Sequence, residues 1–109
     1  MGALSPAFAQ TVDLTGVNNP GDPSSIDSDT DLWIGLWGDG SLTIQNGGVL
    51  NNMSAYVGAS AGNEGTAIVT GLGSQWHNGN NFDIGLYGKG TLDVTAGGVV
   101  SGANSDVGY

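Results

Sequence analysis

Carboxylates are the main chemical resource of this 109-residue chain, which has ten Asp and Glu residues, one Lys, no Arg and one His. Asp27, Asp29 and Asp31 stand at alternate positions, a spacing that can offer oxygen ligands to a hard cation. A calcium loop of the EF-hand type also needs Gly at its sixth position and Glu at its twelfth, where this chain has Leu32 and Gly38. The sequence therefore favours a solvated acidic turn, and we predict no metal ion and no cofactor.

Three further acids, Asp83, Asp93 and Asp106, together with Lys89 form the candidate set for a carbohydrate-active enzyme. Glycoside hydrolysis needs two carboxyl groups held roughly 5–9.5 Å apart on either side of the bond that breaks. The positions 50 residues before these three acids hold no acid, although the surrounding sequence is repeated there. The acids are therefore not part of the repeated design, and a carbohydrate-active β-helix enzyme is retained only as the alternative function.

A hydrolase triad can be written from Ser74, His77 and Asp83, since His77 is the only histidine. Nothing in the surrounding sequence marks a nucleophile turn or an oxyanion hole. We predict that the chain has no catalytic residue and is not an enzyme.

Aromatic side chains are the stronger candidates for binding. Trp33, Trp37, Trp76 and Tyr87 stand at or near predicted strand ends and turns, and Trp37 and Tyr87 occupy equivalent positions 50 residues apart. Exposed Trp and Tyr side chains often anchor binding surfaces. These four residues form the predicted interaction surface, with packing over a corner of the fold as the alternative interpretation.

The elements that carry these side chains are indicated by a repeat. Residues 31–59 align with residues 81–109 without gaps, and 11 of the 29 aligned positions are identical. A weaker repeat recurs every 25 residues in the segments GSLTI (40–44), GTAIV (65–69) and GTLDV (90–94). Aliphatic residues alternate with small polar ones in these segments, which predicts short strands with one buried face. The chain has 21 glycines, which indicates that tight turns join the strands.

We predict an all-β fold, and within that class a right-handed parallel β-helix, or β-solenoid, with 25 residues per coil and a 50-residue double-coil period. A β-propeller blade also fits a 50-residue period, but two blades cannot close a ring. Stacked coils would place equivalent residues in ladders. The predicted ladder residues are Ile34, Val57, Ile84 and Val107 in one ladder, and Leu42 and Leu92 in another.

The domain organisation follows from where the repeat begins. We assign residues 31–109 to the repeat and residues 10–30 to an N-terminal cap or connector. In residues 1–9, the small residues Ala7 and Ala9 before Gln10 are typical of the end of a signal peptide, preceded here by an added Met1-Gly2. The sequence therefore predicts an exported protein.

Three segments carry a resemblance to a known family: IGLWGDGSLTIQNGGVL (34–50), VGASAGNEGTAIVTGLGSQW (57–76) and IGLYGKGTLDVTAGGVV (84–100). They resemble the repeat shared by passenger regions of type V secretion autotransporters and by some PEP-CTERM proteins. The resemblance implies a non-catalytic, adhesin-like segment of an exported protein at the bacterial cell surface. The partners it implies are a host glycan or protein receptor.

The remaining partner predictions come from charge and pattern. A net charge of −9 with one basic side chain argues against nucleic acid, which is bound mainly through Lys and Arg. No apolar run reaches the length of a membrane helix, so direct membrane insertion of this segment is not expected. Exposed ends of a β-solenoid offer unpaired backbone groups, which predicts self-association through those ends.

Overall fold

Short strands joined by glycine-containing turns make up nearly all of the regular structure. The computed structural model describes residues 11–85 and 87–107, with side chains up to residue 102. The strands in these residues are β1 (Thr11–Gly16), β2 (Asn18–Asn19), β3 (Asp31–Ile34), β4 (Gly40–Gln45), β5 (Val49–Asn52), β6 (Ser54–Val57), β7 (Glu64–Thr70), β8 (Gln75–Ile84), β9 (Lys89–Thr95) and β10 (Val99–Val107). A single 3-10 turn, Pro23–Ser25, is the only helix in this part of the chain, and no helix there could cross a membrane.

The strands form two sheets, and each sheet mixes parallel and antiparallel pairs. The first sheet has the order β1-β4-β7-β9, and the second has the order β10-β8-β6-β3-β2 with β5 also pairing with β8. In the first sheet β4, β7 and β9 are parallel, whereas β1 runs antiparallel to β4. In the second sheet β3, β6, β8 and β10 are parallel, whereas β2 runs antiparallel to β3.

Alternation along each strand divides the core from the surface. In β4, Leu42 and Ile44 are buried, whereas Ser41 and Thr43, which alternate with them, are only partly buried. This alternation is what a sheet with one buried face requires. The buried side chains of both sheets join one cluster. Its members are Leu32, Ile34, Leu42, Ile44, Leu50, Ala55, Val57, Ala67, Val69, Trp76, Phe82 and Ile84.

Backbone register places equivalent residues of the repeat side by side. Leu42 is opposite Ala67, and Ala67 is opposite Leu92, so partners in the first sheet lie 25 residues apart. In the second sheet the backbone register runs through Ile34, Val57, Ile84 and Val107. Repeated aliphatic residues thus lie on neighbouring strands, where they cover one another from water.

Glycine recurs in the repeat because the connections pass very close to the strands. A Cβ added to Gly65 would lie 2.3 Å from the backbone nitrogen of Gly58, and one added to Gly90 would lie 2.3 Å from that of Gly85. Gly58 itself has a φ of +75°, which side chains disfavour. The repeated glycines therefore have a steric role, and their recurrence needs no ligand to explain it.

The prediction of a parallel β-helix is wrong. The strands are mixed parallel and antiparallel in two sheets, and their order is not a regular stack. β8 is a ten-residue strand whose first part pairs with β5 and whose last part pairs with β6. One continuous strand therefore lies beside two separate strands. The antiparallel strands β1 and β2 come from residues that precede the repeat. An internal repeat identifies equivalent strands, but it carries no information about strands outside it.

The segment predicted as a cap or connector, residues 10–30, supplies β1, β2 and the 3-10 turn. Residues 1–9, predicted to be the end of a signal peptide, lie outside the described residues.

Candidate functional site

Two large aromatic side chains project from the connections between strands. Trp37 lies between β3 and β4 and is 77% exposed, and Tyr87 lies between β8 and β9 and is 69% exposed. Both are at the same point of the 50-residue repeat. Such exposure is unusual for a Trp, since large aromatic side chains are mostly buried in soluble proteins.

Backbone hydrogen bonds stack the connections that carry these rings. The connection at residues 58–63 lies between the other two, because the Gly58 N–H donates to the Ile34 carbonyl at 2.8 Å and the Gly88 N–H donates to the Gly58 carbonyl at 2.8 Å. β4, β7 and β9 are neighbouring strands, so the connections leading into β4 and β9 are about 10 Å apart by strand spacing. We refer to Trp37, Tyr87 and residues 58–63 as the aromatic surface.

The middle connection is built from small residues. Residues 58–62 are Gly-Ala-Ser-Ala-Gly, so no large side chain from that segment stands between the two rings. Ala59 is buried, whereas Ala61 and Gly62 are exposed, and the φ of +83° at Gly62 fits a tight turn. The aromatic surface therefore consists of two ring-bearing connections with a connection of small residues and Asn63 between them.

Trp33 lies elsewhere, on the outer face of the second sheet. Its ring stacks on that of Tyr56, its register partner on β6, with a centroid distance of 4.2 Å and an interplanar angle of 27°. The two rings cover one face of each other, and both side chains are half-buried. Trp33 thus contributes to a cross-strand aromatic pair, which stabilises the sheet.

Trp76 is not on the surface, which corrects its assignment to the interaction surface. It is fully buried, its ring meets Phe82 edge-on at 4.9 Å, and its indole N–H donates to the Asn52 side-chain oxygen at 2.7 Å. A Trp in a turn-rich segment carries no sign of which way it points. The burial is possible because Asn52, on the neighbouring strand β5 of the same sheet, supplies the acceptor that the indole N–H needs.

The sequence analysis missed the buried amide network around Trp76. The Asn52 amide nitrogen donates to the Asn78 side-chain oxygen at 2.9 Å and to the Ser54 carbonyl at 2.9 Å, and Asn78 donates to the Ser101 carbonyl at 3.1 Å. Asn52 and Asn78 are register partners on β5 and β8 and are 2% and 5% exposed. Both residues are at inward positions of alternating strands, and a polar residue at such a position indicates a buried hydrogen bond. The network satisfies buried polar groups and is structural.

The proposed carbohydrate-active residues do not converge. Asp83 is on the outer side of β8 in the second sheet, and Asp93 is on the outer side of β9 in the first, so the core separates them. Lys89 is exposed on β9 with Asp93. Asp106 is the register partner of Asp83, and its side chain lies outside the described part. Asp83 and Asp93 therefore cannot flank one glycosidic bond.

The Ser74–His77–Asp83 triad does not form. Ser74 is fully buried, where its hydroxyl donates to the Thr70 carbonyl at 2.7 Å and accepts from the Gly47 N–H at 3.0 Å. The His77 ring nitrogens instead contact Ser101 Oγ at 2.9 Å and Gln75 Oε1 at 2.6 Å. The Ser74 hydroxyl is thus held in a corner of the backbone and does not meet the imidazole.

The acidic run at residues 27–31 forms a local turn. The Asp27 carboxylate accepts from the Asp29 N–H at 2.9 Å and from the Thr30 hydroxyl at 2.9 Å. The Asp29 N–H bond, followed by the Thr30 hydroxyl bond, lowers the pKa of Asp27 below its ordinary value. Among residues 11–85 and 87–107 no group of three His, Cys, Asp or Glu side chains could hold a metal ion.

Comparison of this chain with protein-family models, with curated proteins and with solved structures gives no match. The resemblance to the autotransporter and PEP-CTERM repeat therefore stays a prediction from its motifs.

Proposed function

We propose that this chain is a non-catalytic, adhesive and structural segment of an exported bacterial surface protein. The observation that carries the proposal is the aromatic surface, where Trp37 and Tyr87 are 77% and 69% exposed at equivalent positions of the repeat. Removing an exposed aromatic ring from water is favourable, so a partner that covers these rings gains binding free energy. A host glycan or protein receptor at the cell surface is the partner we propose.

The form of the aromatic surface suits recognition without chemistry. Its rings lie on short connections tied to the sheets by backbone hydrogen bonds, so little ordering is needed on binding. Two rings on connections about 10 Å apart can contact successive units of an extended ligand. Export is supported by the signal-like residues before Gln10, and adhesion by the repeat motifs at residues 34–50, 57–76 and 84–100.

The carbohydrate-active enzyme is the weaker alternative. Its candidate acids Asp83 and Asp93 lie on the outer faces of different sheets. These two candidate acids do not share a cleft, so we give this alternative no mechanism.

The test is binding of the 109-residue chain to an immobilised panel of host glycans and extracellular-matrix proteins. We expect binding to at least one member of the panel, weakened about tenfold or more in Trp37→Ala and in Tyr87→Ala. Leu72→Ala is the matched control, because Leu72 is 86% exposed but lies on the turn between β7 and β8. Binding that is absent across the panel, or that falls only in Leu72→Ala, contradicts the proposal.

A further inference from the structure

The two sheets end in β9 and β10 on one side and in β1 and β2 on the other, and in the described residues all four are edge strands with a partner on one side only. In the described part of the chain β9 pairs only with β7, and β10 pairs only with β8, so each has an outer edge with no strand on it. Such an edge presents backbone N–H and C=O groups to any strand that can approach. We call the end formed by β9 and β10 the open end.

Aliphatic side chains of the core are exposed at the open end. Val94 is 40% exposed, and Leu92 and Val100 beside it are only partly buried. Val99, 49% exposed, is on the outward phase of β10, as its repeat equivalent Val49 is on β5. Together with Phe82 they line one groove, which shows that the edges of the two sheets meet there. Covering this groove removes apolar surface from water, and this is the driving force for a partner.

Charge restricts what that partner can be. The chain carries a net charge of −9, which opposes the approach of another acidic surface unless opposite charges meet locally. Its single basic side chain, Lys89, lies on the open edge strand β9, with Asp93 four residues further along the same exposed face. The open end therefore carries a positive and a negative charge in one row.

We propose that the open end binds a second copy of this chain, edge to edge, as a twofold-symmetric dimer in which β9 runs antiparallel to β9 of the second copy. A twofold axis at Thr91 places Lys89 opposite Asp93 of the second copy and Asp93 opposite its Lys89. A symmetric interface makes each favourable contact twice. The Lys89 of each copy thereby forms one of the two cross-strand ion pairs, and opposite charges directly across a strand pair stabilise it.

The same twofold register also fits the side chains on the core-facing side of β9. It places Leu92 opposite Gly90 of the second copy, so the largest inward side chain of β9 meets a residue with no side chain. Val100 of β10, which lines the same groove, can then pack against the inner face of the contact between the copies. A dimer of this form carries two aromatic surfaces, but its formation does not depend on the proposed adhesion.

The first measurement is the mass of the 109-residue chain over a concentration series by sedimentation equilibrium at low salt. We expect a reversible monomer–dimer equilibrium. Lys89→Asp brings like charges together in both symmetric pairs and should weaken association about tenfold or more, and so should Asp93→Lys. The double variant Lys89→Asp/Asp93→Lys restores opposite charges and should restore most of the association. A chain that stays monomeric throughout the series, or a double variant as weak as the single ones, overturns the proposal.

The second measurement separates the open end from the opposite end. Val94→Lys places a charge in the groove at the open end and should abolish the dimer. Val17→Lys is the matched control, because Val17 is 41% exposed and follows β1 at the other end. Circular dichroism and urea unfolding of each variant confirm that it is folded. Dimerisation that survives Val94→Lys, or that is lost in Val17→Lys alone, assigns the contact elsewhere and contradicts the proposal.

Discussion

The two ends of the paired sheets contain equivalent residues in different surroundings. At the end that precedes the repeat, β1 lies antiparallel on β4 and places Leu14 opposite Leu42. There the Val17 N–H donates to the Asp39 carbonyl at 2.9 Å, and the Gly35 N–H donates to the Val17 carbonyl at 3.2 Å. We call this the closed end. At the open end Leu92, the repeat equivalent of Leu42, has a neighbour on one side only.

The difference shows what the repeat does not supply. Each repeated strand buries its aliphatic residues against the next one, so the first and last strands need something from outside the repeat. At the closed end this comes from residues 11–19, which run antiparallel to the strands they cover. β1 and β2 cover the edges of β4 and β3 but are themselves edge strands. At the open end the described residues place no strand beyond β9 and β10, and it is the edge of β9 that we propose as the contact between two copies.

The largest expected effect comes from truncating the equivalent leucines at the two ends. Leu42 is fully buried under β1, so Leu42→Ala should lower the free energy of unfolding by about 2–5 kcal/mol. Leu92 is only partly buried, so Leu92→Ala should cost about 1 kcal/mol, since less apolar surface is lost. Urea unfolding below the concentration of dimerisation measures both values.

The comparison fails if the two losses are equal at low concentration, because Leu92 would then be covered in the monomer. Repeating the measurement at high concentration sharpens it. There the loss in Leu92→Ala should increase, since the second copy covers this side chain, whereas the loss in Leu42→Ala should not change.

Much of the local structure is readable from the sequence, whereas the topology is not. Alternation of aliphatic and small polar residues in GSLTI, GTAIV and GTLDV indicates strands, and the glycines indicate where they turn. The all-β class follows from this. The strand order does not, because Thr11–Gly16 alternates in the same way as the repeated strands but runs in the opposite direction. The antiparallel pairing of β1 with β4 and of β2 with β3 has no periodic signal in the sequence.

The site residues show the same limit. Trp37 and Tyr87 stand between two glycine-rich turns, and their exposure agrees with an interaction role. Trp76 has a similar sequence context but is buried, because Asn52 on a strand 24 residues earlier accepts its indole N–H. A partner so distant in sequence cannot be identified without the register of β5 and β8. The acceptor that the buried indole of Trp76 needs is therefore not visible among its neighbours in the chain.

A smaller effect is expected at the tight turns that follow β4 and β9. The turn after β4 has Asn46 at a φ of +55° and Gly47 at +78°, and the turn after β9 has Ala96 at +52° and Gly97 at +92°. Asn tolerates this left-handed conformation better than Ala. Ala96→Asn should therefore raise the free energy of unfolding by about 0.5–1 kcal/mol. Thermal unfolding measures the gain, and Asn46→Ala should show a loss of similar size. A loss in Ala96→Asn contradicts the assigned turn.

The smallest effect is expected on the pH dependence of stability, and it arises at Asp27, in the segment between β2 and β3. The Asp29 N–H and the Thr30 hydroxyl bind the Asp27 carboxylate and lower its pKa in the folded state. A lowered pKa contributes stability that is present above the unfolded value of about 3.9 and is lost as the pH falls through the folded value. Urea unfolding at a series of pH values between about 5 and 2 should therefore show a weaker acid dependence in Asp27→Asn than in the parent chain. The amide oxygen of Asn can still accept the Asp29 N–H, so the turn persists while its titration is removed. An acid dependence that is unchanged in Asp27→Asn shows that the turn is not held by the ionised carboxylate.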